Sequence, residues 1–253
     1  MDVTFDRHLF TQVGLDSGSL TMLGSVVHGF AAGEYRCAVH AGAEVKAVFV
    51  VHADPDSPNA QATVDLEALA RGPARPAGGG DGGCGCGDGG AKTDAAVPRY
   101  TVNPRGHVLF RVGRGAGQYY VHARRTDAPQ EDKGYDTRAL APGDAFAAIV
   151  LRPGTYAVKN TLTGAQAELV VDYPPLKERR YRPGAPIRVA CEAKAFAPAT
   201  LHTGPGQGVI FESRVPSRVA ITLTKADDGP ADRPRPRPPR RFVNVAAARR
   251  ARR

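Results

Sequence analysis

Apolar residues in this chain recur at every second position in short runs, and glycine and proline break the runs. The clearest case spans residues 143–171. There 146–151 is an apolar run, Arg152-Pro153-Gly154 interrupts it, 155–160 alternates, Thr163-Gly164 interrupts again, and 168–171 completes a three-strand meander. Upstream, 20–27, 34–40 and 45–52 read as strands. Residues 60–66 read as one more, although 64–70 alone is compatible with a helical turn or two. Residues 99–102, 107–112 and 118–124 form a further group. After Pro174-Pro175 come 187–193, 199–203, 208–212 and 218–224. Hardly any segment has a helical period, so the pattern predicts an all-β chain of antiparallel, Greek-key-like β-sandwiches.

The runs stop between residues 72 and 90, where ten glycines stand among Pro73, Pro76, Asp81 and Asp88. Such a segment loses much backbone entropy on ordering and has no apolar side chains to offset the loss. It predicts a Gly-rich linker at 71–97 between a small sandwich-like unit at 1–70 and a second sandwich at 98–226. An insertion joining two strands of one sandwich would have the same composition. One local pattern recurs: Gly33-Glu-Tyr35-Arg-Cys37, Gly117-Gln-Tyr119-Tyr-Val121 and Gly154-Thr-Tyr156-Ala-Val158. A period of two puts the Tyr and the Val or Cys on one face, with Gly in the turn that launches the strand. Generic hairpin grammar and duplicated sandwich units both produce it.

Composition adds one asymmetry. A chain of 253 residues buries enough surface to need no covalent staple, and 29 Gly and 21 Pro with no Trp fit many turns. The net charge is +9, but residues 233–253 hold nine Arg and no acid. Taking these nine from 34 basic residues leaves 25 against 25 acidic ones, a neutral body. The tail 227–253 reads as a disordered, extended arm, since its prolines forbid helix and ladder alike. Its guanidinium forks suit phosphates, so Arg233, Arg235, Arg237, Arg240, Arg241, Arg249, Arg250, Arg252 and Arg253 are the candidate contacts to nucleic acid or another polyanion. A solubilising tail or an acidic partner surface fits the same residues. The opening residues have no basic and apolar leader pattern, and no apolar run approaches the roughly 20 residues of a membrane span. These features predict a soluble, cytoplasmic chain without a membrane partner.

The sequence contains no Gly-x-Ser-x-Gly, no phosphate-binding Gly-x-x-x-x-Gly-Lys and no His-Glu-x-x-His. It reads as non-catalytic. Cys84-Gly-Cys86 in the glycine segment is compatible with two thiolates for Cu(I) or Zn(II), a strained disulfide, an intermolecular crosslink or plain low-complexity sequence.

Two stretches resemble the cupredoxin family of Greek-key sandwiches. Phe196-Ala-Pro198 with Gly206-Gln-Gly208-Val-Ile-Phe211 is similar to that fold's early strands, and 154–171 to its closing hairpin, in the opposite order. Tyr35-Arg-Cys37-Ala-Val-His40 resembles the copper loop, which implies Cys37 and His40 as copper ligands. The implied set is incomplete: Val45 or a neighbour stands in the place of the axial Met, and only His8 and His28 precede Cys37. The expected function is a non-catalytic binding or structural role, through a protein partner or self-assembly, with the basic arm for an anionic partner. The alternative is a cupredoxin-derived metal-binding or electron-transfer protein.

Overall fold

The computed structural model describes residues 13–72, 97–127, 134–172 and 181–227. The first stretch forms β1 (Gly14–Asp16), β2 (Gly24–His28), β3 (Gly33–Ala41), β4 (Glu44–Ala53) and β5 (Gln61–Asp65). It ends in a short helix, α1 (Leu66–Arg71), where Asp65 caps the first turn by accepting from Ala68 N at 3.2 Å. Next come β6 (Arg99–Val102), β7 (His107–Arg111) and β8 (Tyr120–Arg125). The third stretch holds β9 (Tyr135–Asp136), β10 (Ala145–Ile149), β11 (Gly154–Asn160) and β12 (Gln166–Val171). The last holds β13 (Ile187–Cys191), β14 (Phe196–Ala197), β15 (Thr200–Thr203), β16 (Gly208–Ser213) and β17 (Val219–Ala226). The expectation of an all-β chain holds.

The strands form a central seven-stranded sheet, β14-β13-β16-β10-β2-β7-β5, and two five-stranded ones, β6-β4-β3-β8-β9 and β1-β17-β11-β12-β15. Alternation sets their faces. In β11 the buried positions are Gly154, Tyr156, Val158 and Asn160, with Ala157 and Lys159 exposed between them. Phe49 of β4 meets Phe110 of β7 with ring centroids 6.3 Å apart, joining one outer sheet to the centre. Phe211 packs against both Phe146 and Phe196 on the other half of the central sheet. Fully burying each such ring contributes roughly 1.5–3 kcal/mol.

One pairing scheme occurs twice. In residues 24–125, β2 is antiparallel to β7, β7 parallel to β5, β3 antiparallel to β4 and β8, and β4 parallel to β6. In residues 145–226, β10 is antiparallel to β16, β16 parallel to β13, β11 antiparallel to β12 and β17, and β12 parallel to β15. Side chains repeat with it. Gly33 and Gly154 open β3 and β11 with φ of +145° and +147°. Two residues on, Tyr35 and Tyr156 donate their hydroxyls to the carbonyls four residues back, Ala31 O at 3.1 Å and Arg152 O at 2.7 Å. Ser17 Oγ accepts from Val219 N at 3.0 Å as Thr137 Oγ1 accepts from Val121 N at 2.9 Å. Leu20 exchanges backbone bonds with Tyr119 as Leu140 does with Ser217. The third occurrence of the Gly-x-Tyr pattern, at Gly117, has no such role: Tyr119 donates to Glu67 instead.

The two copies meet where β2 lies antiparallel to β10, with Val26 opposite Phe146. Each of these residues also faces its copy's phenylalanine on the other side, Phe110 and Phe211 respectively. Equivalent positions therefore face each other, the relation a two-fold axis imposes. The short strands ahead of each copy cross over. β9 precedes β10 but pairs with β8, and β1 precedes β2 but pairs with β17.

This pairing does not follow the division expected at 71–97. Strands from both sides share two sheets, through β4 with β6, β5 with β7, β2 with β7 and β3 with β8. Residues 24–65 thus pair with 99–125 rather than standing as a separate unit at 1–70. The physical reason is that loop closure entropy grows only slowly with length, so a long glycine-rich join is tolerated inside one sheet pair as readily as between domains. Most of the glycine segment, 73–96, lies outside the described residues.

Candidate functional site

Cys37 and His40 both lie on β3, but three residues apart on a strand places them on opposite faces. Cys37 points into the core with no exposed surface, and burial pushes its thiol up to about 12. His40 faces outward, where its ring stacks on Tyr120 of β8 with centroids 4.7 Å apart. The two do not converge on one ion, so they do not fit the copper site that the resemblance implied. Among the described residues no group of three His, Cys, Asp or Glu side chains is placed to hold a metal. Cys84, Cys86 and the nine tail arginines lie outside the described residues.

Polar and charged side chains gather on the outer face of the sheet around His40. Tyr120 stands between two neighbours, with His40 on the β3 side and the Arg138 guanidinium 4.2 Å from its ring centroid on the β9 side. Arg138 also forks onto Asp136, at 2.7 Å between Nη2 and Oδ2. Burial first, then the nearby His122 and Arg138, hold the His40 pKa below the usual histidine value, against an opposing pull from Asp136. Its Nδ1 is buried and has no hydrogen-bond partner among the described residues.

A second cluster sits where the copies join, and sequence reasoning missed it. His28 at the end of β2 lies across from Asp144, just ahead of β10, and its Nδ1 is 2.6 Å from Asp144 Oδ1. The other carboxylate oxygen accepts from Ala141 N at 2.8 Å. Tyr135 of β9 stacks on the imidazole with centroids 3.5 Å apart, and Phe30 meets it edge-on at 4.5 Å. Burial and the Asp144 carboxylate hold the Tyr135 phenol well above the ordinary tyrosine range. The residues are 116 apart in sequence, and no local pattern around either one points to the other. Beside Asp144 an open cleft of about 340 Å³ is lined by Pro142, Gly143, Asp144, Glu212, Ser213 and Arg214.

A carboxylate on Nδ1 orients an imidazole, but acyl or phosphoryl chemistry also needs a nucleophile within hydrogen-bond reach. Among the described residues no serine, threonine or cysteine side chain hydrogen-bonds to His28, and the buried Ser213 Oγ has no partner. The pair acts as a polar clasp across the β2–β10 seam. At the two-fold equivalent position, Gly24 and Ala148 face each other, with no polar pair. Compared with known proteins, the chain matches no protein-family model, no curated protein and no solved structure.

Proposed function

We propose that the chain is a non-catalytic binding protein built from two duplicated β-sandwich units, with the arginine-rich tail as an arm for an anionic partner. One observation carries the reading. The two copies keep the same strand pairing and the same Gly-x-Tyr hydrogen bonds, while the outer faces of their outer sheets carry different side chains. A scaffold held constant with a variable exposed face is how binding proteins diversify, because side chains on the solvent face of a sheet change at little cost to the core. The neutral body and the nine-arginine tail separate a folded part from an electrostatic one.

A copper or electron-transfer role draws no support from Cys37 and His40. Anaerobic copper titration tests it: a strong visible thiolate-to-copper band lost in Cys37→Ser would put that role first.

The binding reading is tested with a chain ending at residue 232, compared with the full chain on a polyanion column. The truncated chain keeps its circular dichroism and thermal midpoint and elutes at much lower salt. If all nine arginines engage duplex DNA, the salt slope of the full chain approaches about −8. Equal elution of the two chains, or no retention of the full chain at low salt, would defeat the reading of the arm.

A further inference from the structure

Overall neutrality of the body hides a difference between its two outer sheets. Across the first, one row of outward positions runs Arg99 on β6, Val50 on β4, Arg36 on β3 and Arg124 on β8. Across the second, the row in the same place of the pairing scheme runs Thr200 on β15, Glu168 on β12, Ala157 on β11 and Thr222 on β17. All three arginines are exposed. One copy therefore presents three cations where the other presents one anion.

The first row is placed against its own stability. Arg36 and Arg124 lie directly opposite each other on antiparallel strands, and like charges in that position are destabilising. The acids of this face are engaged elsewhere. Glu34 takes Arg99 at 2.6 Å with His52 nearby, and Asp136 takes Arg138 and lies across from His122. Neither Arg36 nor Arg124 has an ion-pair partner among the described residues. A facing pair of free guanidinium forks is an oxyanion receptor, and phosphate is the oxyanion whose geometry they match bidentately.

We infer that this face is a phosphate-binding surface for duplex nucleic acid, engaged through its backbone and without base readout. The inference rests on the binding reading above and adds a second contact, within the folded body, to the arm. Two features select a duplex. Single strands are held by open aromatic platforms, and Tyr120, on the same face as the row, is not open but flanked by His40 and Arg138. The row spans three inter-strand gaps of about 4.8 Å, roughly 14 Å from Arg99 to Arg124, close to the width of about 12 Å of a major groove. Arg36 and Arg124 can therefore meet phosphates of one strand while Arg99, exchanging Glu34 for a phosphate, reaches the strand across the groove.

The test uses the full chain and a short fluorescent DNA duplex, with anisotropy followed over a range of salt. R36Q/R124Q is compared with K159Q/K225Q, which removes the same charge from exposed positions of the other outer sheet. The expected result is a loss of affinity on the order of tenfold at low salt for R36Q/R124Q, with a salt slope smaller by about two, and little change for K159Q/K225Q. R36K/R124K, which keeps the charge, retains the slope, and an unchanged thermal midpoint of R36Q/R124Q shows that its loss is not a folding defect. Equal losses in the two Gln variants would overturn the assignment, since only the overall field would then matter. It also falls if R36Q/R124Q binds like the parent while the chain ending at 232 loses all binding, a result that leaves the arm standing. No duplex binding by the full chain, or preferential displacement of the duplex by a sulfated glycan or an acidic peptide, overturns it as well.

Discussion

Gly33 and Gly154 occupy the same place in the two copies, yet a side chain would meet different surroundings at each. Both have φ near +146°, a region where only glycine is free of strain. A Cβ on Gly154 would stand 2.5 Å from the Lys225 carbonyl oxygen, which is held in the β11–β17 ladder. At Gly33 its nearest neighbour is the Arg125 side chain at 2.7 Å. Gly154→Ala is expected to cost about 2–3 kcal/mol by urea denaturation and Gly33→Ala about 1–2 kcal/mol, because strain at such φ values costs about 1–3 kcal/mol and only the backbone neighbour cannot move aside. Equal costs would show that the neighbours do not matter. Titration gives a second residue-scale expectation. Cys37 and Cys191 are both pushed up to about 12 by burial, from an ordinary value of 9.0. Above about pH 9 the unfolded chain releases thiol protons that the fold retains. The contribution is complete below that pH and is lost as pH rises toward 12, at up to about 1.4 kcal/mol per unit for each thiol. Denaturation curves at successive alkaline pH values should show this fall, and Cys37→Ala should flatten it even though the variant is less stable at neutral pH.

Among the elements, β1 and β9 show best what a local reading of the chain leaves out. The longer strands were legible because alternation and the glycine breaks at Arg152-Pro153-Gly154 and Thr163-Gly164 are local signals. β1 and β9 are three and two residues long, too short for any period to register, and they exist because a long-range partner completes them. Asp16 and Arg218 fix one such partnership: the guanidinium forks onto the carboxylate at 2.8 and 3.0 Å and ties β1 to β17. Asp16 also accepts from Gly18 N at 2.7 Å. Asp16→Ala is expected to cost about 1 kcal/mol, discounted for partial solvent screening. The loss should be local, speeding amide hydrogen exchange at Leu15 and Ser17 while leaving β2 protected. Global acceleration would show that β1 is integral to the cooperative unit. The His28–Asp144 clasp was illegible for the same reason as β1: nothing near either residue announces the other. Asp144→Ala should cost about 2–4 kcal/mol in thermal or urea denaturation, since it leaves Ala141 N and His28 Nδ1 without their acceptor. A cost under about 0.5 kcal/mol would show the clasp to be incidental.

At the scale of the molecule, one relation governs the rest: each copy lends its leading strand to the other across a seam in which equivalent residues face each other. That is the arrangement of a homodimer in which two identical subunits have exchanged their N-terminal strands, here carried on one polypeptide. A covalent join changes the physics of such a pair. The second subunit is always present at high effective concentration, so assembly no longer depends on how much protein the cell makes. Identity of the halves is no longer required either, and each face can carry its own side chains, as the Arg36 row and its Ala157 counterpart do. A protein consisting of residues 128–232 alone would present one copy without its covalent partner. Sedimentation should find it as a concentration-dependent dimer, with β9 of each subunit occupying in the other the place that β1 holds beside β17. A well-folded monomer at all concentrations would mean that the strand exchange depends on the covalent join.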